Sequence, residues 1–147
     1  MSTFDSPVPR FHLAMPVDDL DAARRFYGEV LGLEQGRSSQ TWTDWNLHGH
    51  QFVTHLAPAP GGGTGGAHNP VDGHDVPVPH FGLILAVPEF HKLADRLRAA
   101  GTEFVIEPYV RFEGQPGEQW TMFLRDPAGN ALEFKAFADD SQVFATG

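Results

Sequence analysis

The sequence predicts an α+β protein in which a βαβββ unit occurs twice along 147 residues. Each half opens with a short apolar strand and a helix, and each half closes with strands whose polarity alternates. The first half runs from His12 to a helix-ending Gly32, and the second runs from His80 to Gly101, so the two spans differ by one position. Matching elements in the same order predict two related modules.

The chain length suits one domain, residues 1–147. The repeat divides it into a first module at about 9–57, a linker at 58–79 and a second module at about 80–138. The linker is rich in proline and glycine, which is typical of a plain connection and equally of a mobile flap over a site.

The first module begins with the apolar strand FHLAM at residues 11–15. Asp18 or Asp19 can cap the following helix through a side-chain oxygen. Gly32 provides a natural helix end. The apolar face of this helix consists of Leu20, Ala23, Phe26, Tyr27, Val30 and Leu31.

The second module repeats this order. Residues 80–87, HFGLILAV, are the predicted strand, and Pro88 suits the first turn of a helix that ends at Gly101. The turn sequence DPAGN at 126–130 is expected to join WTMFLR to NALEFKAF as a hairpin.

Four residues that metals favour occur at matching places in the two modules. A shift of 68 positions places His12 on His80, and a shift of 78 places His55 on Glu133 without a gap. The larger shift also superposes the Trp-Thr pair of the first module on that of the second. In each strand the metal-type residue lies on the face opposite the larger apolar side chains, since strand side chains alternate.

A carboxylate in the apolar strand NALEF requires a partner, because an unpaired buried charge is costly. Two imidazoles and one carboxylate form the ligand set of non-haem iron(II) oxygenases, while zinc, nickel, cobalt or manganese also accept such ligands. We therefore interpret His12, His80 and Glu133 as metal ligands. His55 is a fourth ligand, an acid/base group or a residue that orients another. The alternatives are hydrogen-bonded structural histidines and a simple ion pair of Glu133 with Lys135 or an arginine.

Composition excludes several classes of protein. The formal net charge of −9 disfavours nucleic acids and anionic membranes as partners. No apolar run approaches the roughly 20 residues of a membrane span, and the N-terminus lacks a signal-peptide pattern, so a cytoplasmic location is expected. The chain has no cysteine, which leaves histidine and carboxylate as metal ligands.

Three segments, FHLAMPVDDLDAARRFYGEVLGLEQG, PHFGLIL and FLRDPAGNALEFKAF, resemble the vicinal oxygen chelate superfamily, which includes glyoxalase I, bleomycin-resistance proteins, methylmalonyl-CoA epimerase and extradiol dioxygenases. The resemblance covers about residues 9–138. It implies two βαβββ modules whose mixed sheet curls around a central metal site. By position, His12, His80 and Glu133 match the residues that hold iron(II) in extradiol dioxygenases. His55 stands where glyoxalase I usually carries a glutamate.

The resemblance implies a metal-dependent enzyme whose metal ion is chelated by adjacent oxygens of a small organic substrate. It also implies a homodimer. Because position 55 lacks a carboxylate, iron(II) and extradiol dioxygenase-like chemistry are favoured, with His55 and Glu133 as catalytic residues. The alternatives are a glyoxalase- or epimerase-type isomerase or lyase and a bleomycin-resistance-like binding protein. Arg111 is a candidate for recognising an anionic substrate group, or else a solvated loop arginine.

Overall fold

The computed structural model describes residues 8–57 and 67–146, and within them each module forms its own four-stranded mixed sheet. The first module consists of β1 (His12–Val17), α1 (Leu20–Arg24), β2 (Glu34–Ser38), β3 (Trp42–Leu47) and β4 (His50–Leu56). A hairpin follows, made of β5 (Ala67–Val71) and β6 (His74–Val78). The second module consists of β7 (Phe81–Ile84), α2 (Val87–Ala99), β8 (Phe104–Arg111), β9 (Gln119–Arg125) and β10 (Ala131–Phe137).

The two sheets have the same topology. Their strand orders are β1-β4-β3-β2 and β7-β10-β9-β8, with the first pair parallel and the other pairs antiparallel. The predicted α+β class and the two βαβββ modules are confirmed. The sheets do not join into a single closed sheet within the described residues.

The first helix begins as predicted and ends differently. The Asp19 carboxylate accepts a hydrogen bond from the Ala22 amide at 3.0 Å, which caps α1. Beyond α1 the chain continues as a π-helical turn, Arg25–Val30, whose hydrogen bonds span five residues. Gly32 follows with φ of 76°. Apolar periodicity does not distinguish the two helix types here, because Tyr27 is buried in either case.

The second helix follows the prediction, and the strand before it is shorter than expected. Pro88 lies in the first turn of α2, and Gly101 after its end has φ of 78°. β7 stops at Ile84 rather than at residue 87, because Ala86 is already the N-cap of α2. None of the described helices is long and apolar enough to span a bilayer.

The predicted linker contains regular structure. Residues 58–66 lie outside the described residues, and residues 67–78 form the β5–β6 hairpin. Asp72 and Gly73 at its turn have φ of 50° and 79°, as a two-residue hairpin turn requires. The second half of the linker therefore has a defined position against the protein, which bears on the site described below.

One apolar core joins the two modules. Its large side chains come from both sheets and both helices: Tyr27, Trp45 and Phe52 from the first module, and Phe90, Met122, Leu132 and Phe134 from the second. The buried Asn130 amide donates to the Pro16 carbonyl at 2.8 Å, which ties the second module to β1. The helix-bearing faces thus pack on each other, and the opposite faces carry the polar strand residues.

Candidate metal centre

His80, which directly precedes β7, is in contact with Glu133 of the adjacent strand β10. The Nε2 atom of His80 lies 3.2 Å from Oε1 of Glu133. The Thr121 hydroxyl donates to the other carboxylate oxygen at 2.5 Å, and the Lys135 ammonium lies 3.9 Å from that oxygen. The Glu133 side chain is only 11% exposed. The predicted pairing of Glu133 with Lys135 alone is therefore not what the structure shows, because His80 and Thr121 lie closer.

Gly82 allows the strands carrying this pair to approach closely. It lies opposite Glu133 in the β7–β10 register. A Cβ atom at position 82 would lie 1.6 Å from the backbone carbonyl oxygen of Glu133. Because a backbone oxygen cannot move aside without breaking the sheet, this position requires glycine.

The orientation of His80 is fixed through its other ring nitrogen. Nδ1 lies 2.7 Å from the Pro77 carbonyl oxygen. A carbonyl oxygen can only accept, so Nδ1 carries a proton and Nε2 faces the carboxylate. The ring of Phe123 meets the imidazole edge-on, with centroids 4.9 Å apart. A hydrogen bond from one ring nitrogen to a carbonyl is typical of histidines that bind a metal ion through the other nitrogen.

The two groups shift each other's protonation. The hydrogen bond to Glu133 raises the pKa of His80, and burial opposes this without cancelling it. Burial raises the pKa of Glu133, but hydrogen bonds from His80 and Thr121 outweigh burial and leave this pKa below its ordinary value. The metal-free protein consequently favours an imidazolium–carboxylate pair.

We expect this pair to stabilise the metal-free protein most between the ordinary pKa values of glutamate, 4.5, and histidine, 6.5. Its contribution is lost as pH falls through the lowered pKa of Glu133, and also as pH rises through the raised pKa of His80. Thermal unfolding of wild type and Glu133→Gln across pH should differ most inside that window. The difference should be on the order of 1 kcal/mol, because the pair is partly exposed. If the difference in stability between wild type and Glu133→Gln did not vary with pH, the imidazolium–carboxylate pair would be contradicted.

His12 is held in the same way in the first sheet. Its Nδ1 atom lies 2.8 Å from the Gln51 side-chain oxygen, directly across the β1–β4 pair. The ring of His12 is exposed, and its Nε2 atom is left for another partner. Gln51 could not be identified from the sequence alone, because its contact with His12 depends on the strand register.

The registers correct the predicted alignment of the modules. Ala14 pairs with Val53 in the first sheet as Gly82 pairs with Glu133 in the second. Val53 is therefore the structural counterpart of Glu133, and it precedes Glu133 by 80 positions rather than 78. His55 lies two residues further along β4, exposed and on the same face.

Turn length explains part of this difference. β3 and β4 are joined by a tight turn at His48 and Gly49, both with positive φ, whereas residues 126–130 separate β9 from β10. The ungapped shift of 78 ignores these extra residues. The matching Trp-Thr pairs at 42–43 and 120–121 lie before these turns and are themselves out of register by one residue, which places them on opposite faces of their sheets.

The structure brings together only part of the predicted site. Among the described residues, no group of three or more His, Asp or Glu side chains is close enough to hold a metal ion. His80 and Glu133 are in contact, while His12 and His55 lie in the other sheet and do not complete a cluster with them. Arg111 is engaged as well, since its Nε atom donates to the Asp72 carboxylate at 2.5 Å.

Comparison with known proteins identifies relatives along nearly the whole chain. The family model of the Glyoxalase/Bleomycin resistance protein/Dioxygenase superfamily matches residues 11–134. The crystal structure of a glyoxalase/bleomycin resistance protein/dioxygenase from Alicyclobacillus acidocaldarius is 30% identical, with 95% of this chain and 99% of that chain covered and a TM-score of 0.75. Virulence protein STM3117 of Salmonella typhimurium is 26% identical over 131 residues, 86% of this chain and 82% of that protein. The lactoylglutathione lyase of Agrobacterium tumefaciens shares the fold, with 21% identity, 95% and 98% coverage and a TM-score of 0.64.

Proposed function

The chain belongs to the glyoxalase/bleomycin resistance protein/dioxygenase superfamily, and we propose that it is a metal-dependent enzyme acting on a small organic molecule with adjacent oxygen atoms. The observation that carries this proposal is the contact between His80 and Glu133. The carboxylate is held deprotonated, and the imidazole has its Nδ1 proton on a backbone carbonyl. Both groups are thus prepared to bind one divalent ion through Glu133 and His80 Nε2.

His12 is the proposed third ligand. Its Nδ1 atom is pinned by Gln51 as that of His80 is pinned by Pro77, so each ring offers Nε2. Two histidines and one carboxylate favour iron(II), while zinc, nickel, cobalt and manganese also fit these donors. A bound ion would supply the positive charge that stabilises an anionic, chelating substrate.

An extradiol dioxygenase-like reaction is the proposed chemistry. Val53 occupies the counterpart of Glu133 in the first sheet, so this position supplies no second carboxylate. A three-ligand site leaves more positions open for substrate oxygens than a four-ligand site does. His55, on the same face of β4 and exposed, is the proposed acid/base group, since an imidazole accepts and donates protons near neutral pH.

A specific observation favours a glyoxalase- or epimerase-type isomerase as the second candidate. Asp44 lies directly opposite Val53 in the β3–β4 pair and is half-buried on the same face. Asp44 thus places a carboxylate on β3, directly beside the position that Val53 occupies on β4. In this alternative Asp44 serves as a fourth ligand or as the base that moves the substrate proton.

Assembly into a homodimer is proposed as the way in which the site is completed. His12 and the His80–Glu133 pair lie on different sheets of one chain, whose helix-bearing faces pack together. Ile84 shares the face of Glu133 and is 49% exposed, as expected of a surface that another sheet covers. In the proposed dimer, His12 and His55 of one protomer approach His80 and Glu133 of its partner.

Metal analysis together with oxygen uptake tests the proposed reaction. Protein purified anaerobically and loaded with iron(II) is expected to bind about one ion per chain and to consume oxygen with catechol-type substrates. Turnover of 2-oxoaldehyde adducts or epimerisable thioesters with zinc, nickel or cobalt, without oxygen uptake, would favour the isomerase instead. If the protein bound no divalent metal and only sequestered small molecules, both enzyme proposals would be wrong.

A further inference from the structure

The β5–β6 hairpin lies on the same face of the second sheet as His80 and Glu133. Val76 of β6 is buried against Ile106 and Phe123. Phe123 is the direct register partner of Glu133 in the β9–β10 pair, and its ring meets His80. The hairpin therefore contacts the Phe123 side chain, which itself packs against His80.

The turn of this hairpin is fastened to β8 through one carboxylate. Asp72 accepts hydrogen bonds from Arg111 Nε at 2.5 Å and from the Tyr109 hydroxyl at 3.0 Å. The ring of His74 packs on Tyr109 with centroids 5.0 Å apart. The Arg111 side chain is 19% exposed and the Asp72 side chain is 39% exposed, so the ion pair is open to water on the side of Asp72.

The other end of the hairpin reaches His80. The carbonyl of Pro77, next to the buried Val76, accepts the Nδ1 proton of His80 at 2.7 Å. Whether Nδ1 or Nε2 carries the proton of a neutral imidazole depends on such a partner. The position of the hairpin thus decides which nitrogen of His80 is free to face Glu133.

We propose that Asp72 is a positioning residue for the candidate metal centre. By fastening the hairpin to Tyr109 and Arg111, it keeps the Pro77 carbonyl against His80 and so fixes the tautomer and direction of this ligand. The role of the tautomer in metal binding rests on the proposed function, whereas the mechanical link from Asp72 to His80 does not. Arg111 accordingly acts through Asp72.

The test uses two variants that break the same contact from opposite sides, Asp72→Asn and Arg111→Gln. Asparagine tolerates the left-handed conformation of position 72, so the first variant removes charge without adding backbone strain. Glu113→Gln, an exposed acid-to-amide change just beyond β8, is the matched control. Hydrogen exchange of the hairpin amides measures how stably the hairpin is held against β8. The ¹⁵N chemical shifts of the His80 ring identify its tautomer when they are recorded at alkaline pH in metal-free protein.

Both variants are expected to lower hairpin protection, to increase the fraction of His80 with its proton on Nε2, and to weaken Co²⁺ binding by about 10-fold. The double variant should be no worse than either single one, because the two changes remove one shared contact. Unchanged hairpin protection, or a loosened hairpin with an unchanged His80 tautomer, would overturn the proposal. If wild type bound no Co²⁺ but the tautomer still changed, the proposed metal function would fail while the positioning role stood.

Discussion

Replacing Glu133 by glutamine should weaken binding of a divalent metal ion by about 100-fold or more, because it removes the only anionic ligand of the proposed three-ligand site. The substitution preserves the shape of the side chain and an oxygen that can accept the Thr121 hydroxyl. The sheet should therefore survive, and the loss should appear in metal affinity. Titration with Co²⁺, followed by its visible absorption or by calorimetry, measures the effect.

Lys135→Gln is the matched control for this variant. Lys135 lies on the same strand and face as Glu133, 3.9 Å from its carboxylate, and is no metal ligand. Removing its positive charge should leave Co²⁺ affinity unchanged or slightly higher, since a cation near the site opposes a second cation. Equal losses in the two variants would show that the metal does not bind at Glu133.

Mixing two defective chains tests where the third ligand comes from. His12→Ala and Glu133→Gln each damage the site, but a dimer containing one chain of each type can pair the intact His12 of one protomer with the intact Glu133 of its partner. If sites form between protomers, refolding the two variants together should restore tight Co²⁺ binding at one of the two sites per mixed dimer. No recovery in a dimer would place both ligands in the same chain, and a monomer would contradict the proposed assembly.

The fold was largely predictable because the repeat is visible in the apolar pattern. Strand, helix and strands recur in the same order, and caps such as Asp19 are local signals. The π-helical turn and the β5–β6 hairpin were not predictable on this basis. The π-helical turn buries Phe26 and Tyr27, which an α-helix with this apolar pattern would also bury. The hairpin lies within a stretch whose prolines and glycines indicate a plain connection.

The site was predictable only as far as strand phase determines it. Strand phase predicts that His80 and Glu133 face the same side of the second sheet, and in the structure their side chains are in contact. Their role as metal ligands stays a prediction. The place of His55 depends on the register of β1 with β4, which the spacing of residues in the sequence does not determine. Gln51, Thr121 and the Pro77 carbonyl act across strands or through the backbone, so their spacing in sequence does not reveal them.

Replacing Asp126 by alanine should destabilise the protein by about 3–5 kcal/mol, which is the largest effect on stability that we expect from a single side chain outside the site. Asp126 is 5% exposed and lies in the turn DPAGN. One carboxylate oxygen accepts from the backbone amides of Ala128 and Asn130, each at 2.9 Å. The other accepts from the Tyr27 hydroxyl at 2.7 Å and the Asn130 side-chain amide at 2.9 Å.

The size of this effect follows from the donors that alanine would leave unpaired. Tyr27 is fully buried; burial, followed by the adjacent Asp126 carboxylate, raises the pKa of its hydroxyl, which therefore remains a donor. Each unsatisfied buried donor costs about 1–3 kcal/mol, less whatever relaxation allows. Tyr27→Phe removes a single donor together with its partner bond, and we expect it to cost only about 1–2 kcal/mol. Urea unfolding of both variants provides the comparison.

This contrast separates two roles for the DPAGN turn. If the turn only reverses the chain, Asp126→Ala should cost little more than other turn substitutions, about 1 kcal/mol or less, and should not depend on Tyr27. If it joins the modules, the double variant with Tyr27→Phe should be less destabilised than the sum of the single variants, because both act on one hydrogen bond. The second outcome is expected, since Tyr27 lies in the first module and Asn130 also holds the Pro16 carbonyl of β1. The DPAGN turn before β10 would then do more than reverse the chain. It would also determine how the two sheets are held relative to each other.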